Sequence, residues 1–106
     1  MTETAKHGLL LKAINEKKLI AFQYRGKNRL AEPHDYGIQR GARRLLSYQL
    51  AGESTTGGLP DWRLVDVAEM TNLAITDKKF TGNRPAPTGQ HCKWDILFAR
   101  VGENTT

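Results

Sequence analysis

A chain of 106 residues, 39% hydrophobic and 25% charged, fits one soluble globular domain and leaves no room for two. The longest apolar run, Leu9-Leu10-Leu11, excludes a membrane-spanning helix, and the single cysteine, Cys92, excludes an internal disulfide. The net charge of +5 is uneven: Lys17, Lys18, Arg25, Lys27, Arg29, Arg40, Arg43 and Arg44 are opposed over that stretch only by Glu32 and Asp35, a field that attracts phosphate backbones or anionic ligands but equally suits a solvated surface that keeps a small protein soluble.

A helix is predicted over about residues 4–17. Thr4 is the expected N-cap, and Leu10, Ala13, Ile14 and Lys17 share one face at helical spacing. Leu19–Arg25 alternates as a strand, with Ile20, Phe22 and Tyr24 on one side. Gly26-Lys27-Asn28 reads as a turn. Arg29–Glu32 returns as a strand that should stop at Pro33, because proline cannot donate to a ladder. Tyr36–Arg40 follows as a third short strand, and Gly41-Ala42 as the next turn. Arg43–Ala51 is the longest strand, with Leu46, Tyr48 and Leu50 on one face and Leu45, Ser47 and Gln49 on the other.

Gly52–Pro60 has the composition of a loop. Asp61–Val65 is a strand that sets Trp62 and Leu64 against Arg63. Val67–Met70 suits a helical turn and Leu73–Ile75 a short strand, while Thr81–Gln90 reads as a second loop. Lys93–Val101 alternates Trp94, Ile96 and Phe98 against Asp95, Leu97 and Ala99 as a final strand. One helix followed by short strands with hairpin-length turns predicts a mainly β (α+β) single domain over 1–106. Its parts are the helix, a small antiparallel barrel over about 19–80 and a C-terminal strand over about 92–102.

The order of three segments resembles the WYL domain of bacterial regulators. They are Glu16-Lys17-Lys18-Leu19-Ile20-Ala21-Phe22-Gln23-Tyr24 after the helix, then Arg29-Leu30-Ala31-Glu32-Pro33-His34, then Leu45-Leu46-Ser47-Tyr48 with Trp62-Arg63-Leu64-Val65-Asp66-Val67. The resemblance spans about residues 9–80. It departs from the family at the naming triplet, which falls on Arg43-Arg44-Leu45, and at Asp66, where the family carries an arginine. What it implies is an SH3-like or Sm-like five-stranded barrel capped by the helix. It also implies a ligand- or nucleic-acid-sensing role in transcriptional regulation or defence, with a basic and aromatic patch of Tyr24, Arg29, His34, Tyr48 and Arg63.

Residue by residue, Arg25, Lys27 and Arg29 flank a hairpin where long cations reach a phosphate track; they also suit a charged sheet edge. Arg43 and Arg44 point to opposite faces, so only one, Arg43, is placed with the patch. His34 is an anion contact or a stacking ring, or else a turn histidine bonded to backbone. Tyr24 and Tyr48 are stacking rings or core tyrosines. Trp62 and Trp94 suit the core, and Arg63 lies across the strand from its apolar neighbours. His91-Cys92 lacks an orienting third group for nucleophilic catalysis, and nothing matches metal or phosphate-loop spacing. The expectation is therefore a non-enzymatic, cytoplasmic module with no cofactor and no signal peptide. It would bind single-stranded nucleic acid or a nucleotide-like anion. The alternative is a protein-interaction or homodimerising subunit, docking through its helix or its terminal strand.

Overall fold

Thr2 opens the helix by accepting the Ala5 amide on its hydroxyl at 3.0 Å, so α1 runs Glu3–Glu16 and the cap lies two residues before the predicted Thr4. Lys17 closes it in the left-handed region at φ 56°, its amide donating to the carbonyls of Ala13 and Ile14. Lys17 therefore lies off the apolar stripe, while Leu10, Ala13 and Ile14 are buried as the spacing predicts. The structure is a computed structural model and describes residues 2–52, 61–81 and 94–101. The predicted loops at 52–60 and 81–90, and His91-Cys92, fall wholly or largely outside these residues.

Six strands follow: β1 Lys18–Tyr24, β2 Lys27–Gln39, β3 Ala42–Gly52, β4 Asp61–Asp66, β5 Met70–Lys79 and β6 Ile96–Arg100, with a 3-10 turn at Val67–Glu69. They form a mainly β, antiparallel sheet in the order β4-β3-β2-β1-β5, with β6 added to β2. The end strands β4 and β5 do not pair with each other, so the sheet is open. Leu73–Ile75, expected as a short strand, is the centre of the ten-residue β5.

The largest departure from the sequence reading is β2. It continues through Pro33 instead of ending there, so two predicted strands are one. The ladder to β3 passes from Pro33↔Ser47 to Asp35↔Leu46, which leaves His34 as an extra, bulged residue. A second shift between Leu30 and Ala31 puts the extra residue on β3, at Leu50, so the two bulges cancel and the register recovers. β3 fills one edge of β2 along most of its length. The other edge takes β1 at residues 27–31 and β6 at residues 35–38.

Both hairpin turns lie one residue earlier than predicted. They are two-residue turns at Arg25-Gly26 and Arg40-Gly41, closed by Tyr24↔Lys27 and Gln39↔Ala42. All four central residues have φ between 53° and 79°, the geometry that matches strand twist and favours Asn-Gly. Arginine in this region costs about 1 kcal/mol. Arg40→Asn is therefore expected to raise stability by about 0.5–1 kcal/mol in thermal unfolding, because its amide can still donate to Asp95 Oδ2 at 2.9 Å. A lowered Tm would mean that the arginine side chain outweighs the backbone strain.

The core joins Leu10, Ala13 and Ile14 of α1 to Ile20, Phe22, Tyr24, Ala31, Tyr36, Leu45, Val65, Val67, Met70, Leu73 and Val101. Each large apolar side chain so buried contributes about 1.5–3 kcal/mol. Lys6 is buried with them and donates to the carbonyls of Val67 at 3.0 Å and Ala68 at 3.3 Å, tying α1 to the 3-10 turn. No helix among the described residues is long and apolar enough to cross a membrane.

Candidate anion-binding site

The β1–β2 hairpin concentrates charge because its tight turn sets Arg25, Lys27 and Arg29 within five residues of chain. The guanidinium carbons of Arg25 and Arg29 lie 5.2 and 5.3 Å from the Tyr24 ring centroid, within cation–π range. Tyr24 itself is buried, and its hydroxyl accepts the Asp66 amide at 3.0 Å. That bond joins the end of β1 to the end of β4, three strands away, so the sheet is strongly curled at this end. Arg25 also pairs with Glu69 at 3.0 Å, and this hydrogen bond raises its pKa further above the usual guanidinium value.

Arg29 reaches inward, where its Nη1 donates to Gln49 Oε1 at 3.1 Å. Ser47 lies next along the same face of β3, and its hydroxyl donates to the Arg63 carbonyl at 3.3 Å. Direct pairing of Ser47 with Arg63 sets the Arg63 side chain on that face too. Tyr24, Arg25, Lys27 and Arg29 therefore gather at one end of the sheet, while Arg63 shares the inner face with Gln49 and Ser47 and donates its Nη1 to the Trp62 carbonyl at 3.4 Å.

His34 and Tyr48 lie elsewhere. His34 is 1% exposed, with Nε2 2.9 Å from Glu32 Oε1. Its ring lies 4.9 Å from that of Trp62 and 5.3 Å from that of Phe80. Tyr48 meets Trp62 edge-on at 5.1 Å. These rings form a second cluster on the opposite face of β3, since Tyr48 pairs with Glu32 and Trp62 while Ser47 and Gln49 face the other way. Arg43 lies at a third place. It pairs with Glu3 at 3.5 Å and covers the Phe98 ring at 6.0 Å. Arg44 faces Asp66 at 3.4 Å. The five residues of the family patch thus divide, with Tyr24, Arg29 and Arg63 on one face and His34 and Tyr48 on the other.

Two buried polar pairings, Glu32 with His34 and Asp35 with Arg100, escaped the sequence reading. Glu32 and His34 are two apart, the spacing that puts both on one face of a strand. Pro33 hid this by suggesting that the strand ended. Asp35, 2% exposed, accepts Arg100 Nε at 3.1 Å and Nη2 at 3.2 Å, with Trp94 Nε1 at 3.4 Å. That fork fastens β6 to the middle of β2. Nearby, the Tyr36 hydroxyl lies 2.8 Å from His7 Nδ1. Burial pushes this phenol's pKa up, with Arg43 pulling the other way. Among the described residues no group of three or more His, Cys, Asp or Glu side chains is placed to hold a metal ion.

Comparison with known proteins finds no match: no family model, no curated protein and no solved structure aligns significantly with the chain.

Proposed function

We propose that the protein is a non-enzymatic binding module that takes single-stranded nucleic acid, or a nucleotide-like anion, at the β1–β2 hairpin end of its sheet. One observation carries this: Arg25 and Arg29 share the Tyr24 ring as a support, with Lys27 beside them and Arg63 on the same inner face. Guanidiniums held on a ring lose less freedom on meeting a phosphate than free ones would. This is the sensing role that the WYL resemblance implies.

The connectivity supports an SH3-like or Sm-like barrel as well. A helix precedes five strands, the fifth returns to the free edge of the first, and only a 3-10 turn separates β4 from β5. Closing a small barrel requires this return. The proposal places the protein in a cytoplasmic setting, without cofactor.

Fluorescence anisotropy with a short oligothymidylate tests the reading. Affinity is expected to fall with salt, with a slope of about −0.7 in log–log form per phosphate contacted. Combining Arg25→Asn with Lys27→Gln should weaken binding about tenfold at low salt while leaving Tm unchanged or higher, since asparagine suits the turn. Absence of binding to any oligonucleotide at low salt would remove the nucleic-acid half of the proposal.

A second reading, a homo-oligomerising or partner-binding subunit, is favoured by apolar exposure: Ile96 at 52%, with Leu97 and Leu64 at 38% each. The first two lie on β6, the candidate edge for strand addition. Light scattering after size exclusion separates the readings. A stable dimer at both low and high salt, with no oligonucleotide binding, favours the second.

A further inference from the structure

We propose that Lys17, Lys18, Lys78 and Lys79 form a second anchor for the same single-stranded nucleic acid, so that one strand is held at both ends of β1; this rests on the hairpin reading above. The four lysines meet where α1 gives way to β1 and where β5 ends. Lys18 pairs directly opposite Lys79 in the β1–β5 register. The Phe80 amide donates to the Lys17 carbonyl at 2.9 Å, which holds the end of β5 beside residue 17. Lys17, Lys78 and Lys79 are exposed and Lys18 is half-buried.

Two features here do not serve folding. Like charges directly opposite each other weaken a sheet, and Lys17 occupies a left-handed cap position at φ 56° where glycine or asparagine is better suited. Nearby acids only partly offset the charge: Glu16 lies 3.4 Å from Lys18, and Asp77 is the other carboxylate of these two segments. A phosphate backbone would relieve the repulsion. The bland role, lysines complementing the negative end of α1, is what the test must separate.

The path between the anchors runs on the face of β1 opposite Tyr24, Lys27 and Arg29, so a strand that follows it reaches the hairpin site over the Arg25-Gly26 turn. Lys18 and Tyr24 are six residues apart on β1, about 20 Å at about 3.3 Å per residue. On the β5–β1–β2 face between them, Ala21 pairs with Ala74. Beside that pair runs a chain of side-chain amides: Asn72 Nδ2 donates to Gln23 Oε1 at 2.8 Å, and Gln23 Nε2 to Asn28 Oδ1 at 3.1 Å. None of these five residues repels phosphate, and the amides offer donors and acceptors to bases or sugars.

Oligothymidylates of about 3 and about 12 nucleotides, bracketing the short end of single-strand site sizes, distinguish one anchor from two. The longer one should bind more tightly. The Lys78→Gln/Lys79→Gln double variant should lose about 20-fold affinity for it at about 0.1 M salt, with the log–log slope reduced by about 1.4, while binding the shorter one as before. Lys17→Gly, which relieves the backbone, should raise Tm and still weaken binding of the longer strand. Unchanged affinity and slope in both variants, with the short strand still bound by the parent, overturns the second anchor and leaves the hairpin site standing. An equal loss for both lengths also overturns it, because it would report the overall field rather than a local contact. If the parent binds neither strand at low salt, the hairpin reading falls and this one with it.

Discussion

Replacing His34 with alanine is expected to lower stability by about 3 kcal/mol, from the loss of a buried hydrogen-bond partner and the cavity left behind. The ring is 1% exposed and its Nε2 lies 2.9 Å from Glu32 Oε1, which is 3% exposed. Removing it takes away that partner and leaves a hole between Trp62 and Phe80. At roughly 4 °C per kcal/mol for a domain of this size, Tm should fall by about 12 °C. His34→Gln, which keeps a polar atom near Glu32, should recover part of the loss. Denaturant titration with intrinsic tryptophan fluorescence would report both. A change below about 1 kcal/mol would mean that His34 is not a structural pivot of this face.

The second large effect concerns β6. Asp35→Ala is expected to cost about 3 kcal/mol, because it removes the acceptor for the Arg100 fork and leaves that guanidinium without its carboxylate against β2. Arg100 is about one-third exposed on its side chain, so water recovers part of the loss and the upper end of the range for buried pairs does not apply. Gly37→Ala should act on the same docking by a different route. A Cβ at Gly37 would overlap the Ile96 carbonyl oxygen and meet Leu97 Cα and the Trp94 ring at 3.0 Å, so β6 must move away, at about 2 kcal/mol. Because both changes release one strand, the double variant should cost less than the sum of the two. Hydrogen exchange should show faster opening at residues 35–38, where β6 pairs, with α1 little changed. Full additivity, or unchanged protection at those residues, would show that β6 is not held in this way.

Local chemistry was legible wherever one residue's neighbours in sequence are its neighbours in space. The stripe Leu10, Ala13, Ile14 and the alternation Ile20, Phe22, Tyr24 are core residues because helix and strand periods place them there whatever they pack against. The charge excess between Lys17 and Arg44 was equally plain, and so was the sharing of one hairpin by Arg25, Lys27 and Arg29. Turn positions slipped by one residue because the strongest cue, glycine, does not say which neighbour joins it. Arg25 and Arg40 adopt positive φ, where arginine is uncommon.

Charge, class and the two amphipathic periods are what the sequence by itself determined, because they depend only on composition and backbone geometry. Only the tertiary structure decided that Pro33 lies within a strand, since β3 on one edge and β6 on the other supply the pairing that a lone proline interrupts. It alone decided that the family patch divides between two faces, because the pairing of Tyr48 with Glu32 and Trp62, and of Ser47 with Arg63, fixes which side chains share a surface. And it alone brought Lys18 opposite Lys79, and Asp35 against Arg100, across spans of about sixty residues. The forces between such side chains, repulsive in the first pair and attractive in the second, are short-ranged, so they arise only after the chain has folded the two strands together.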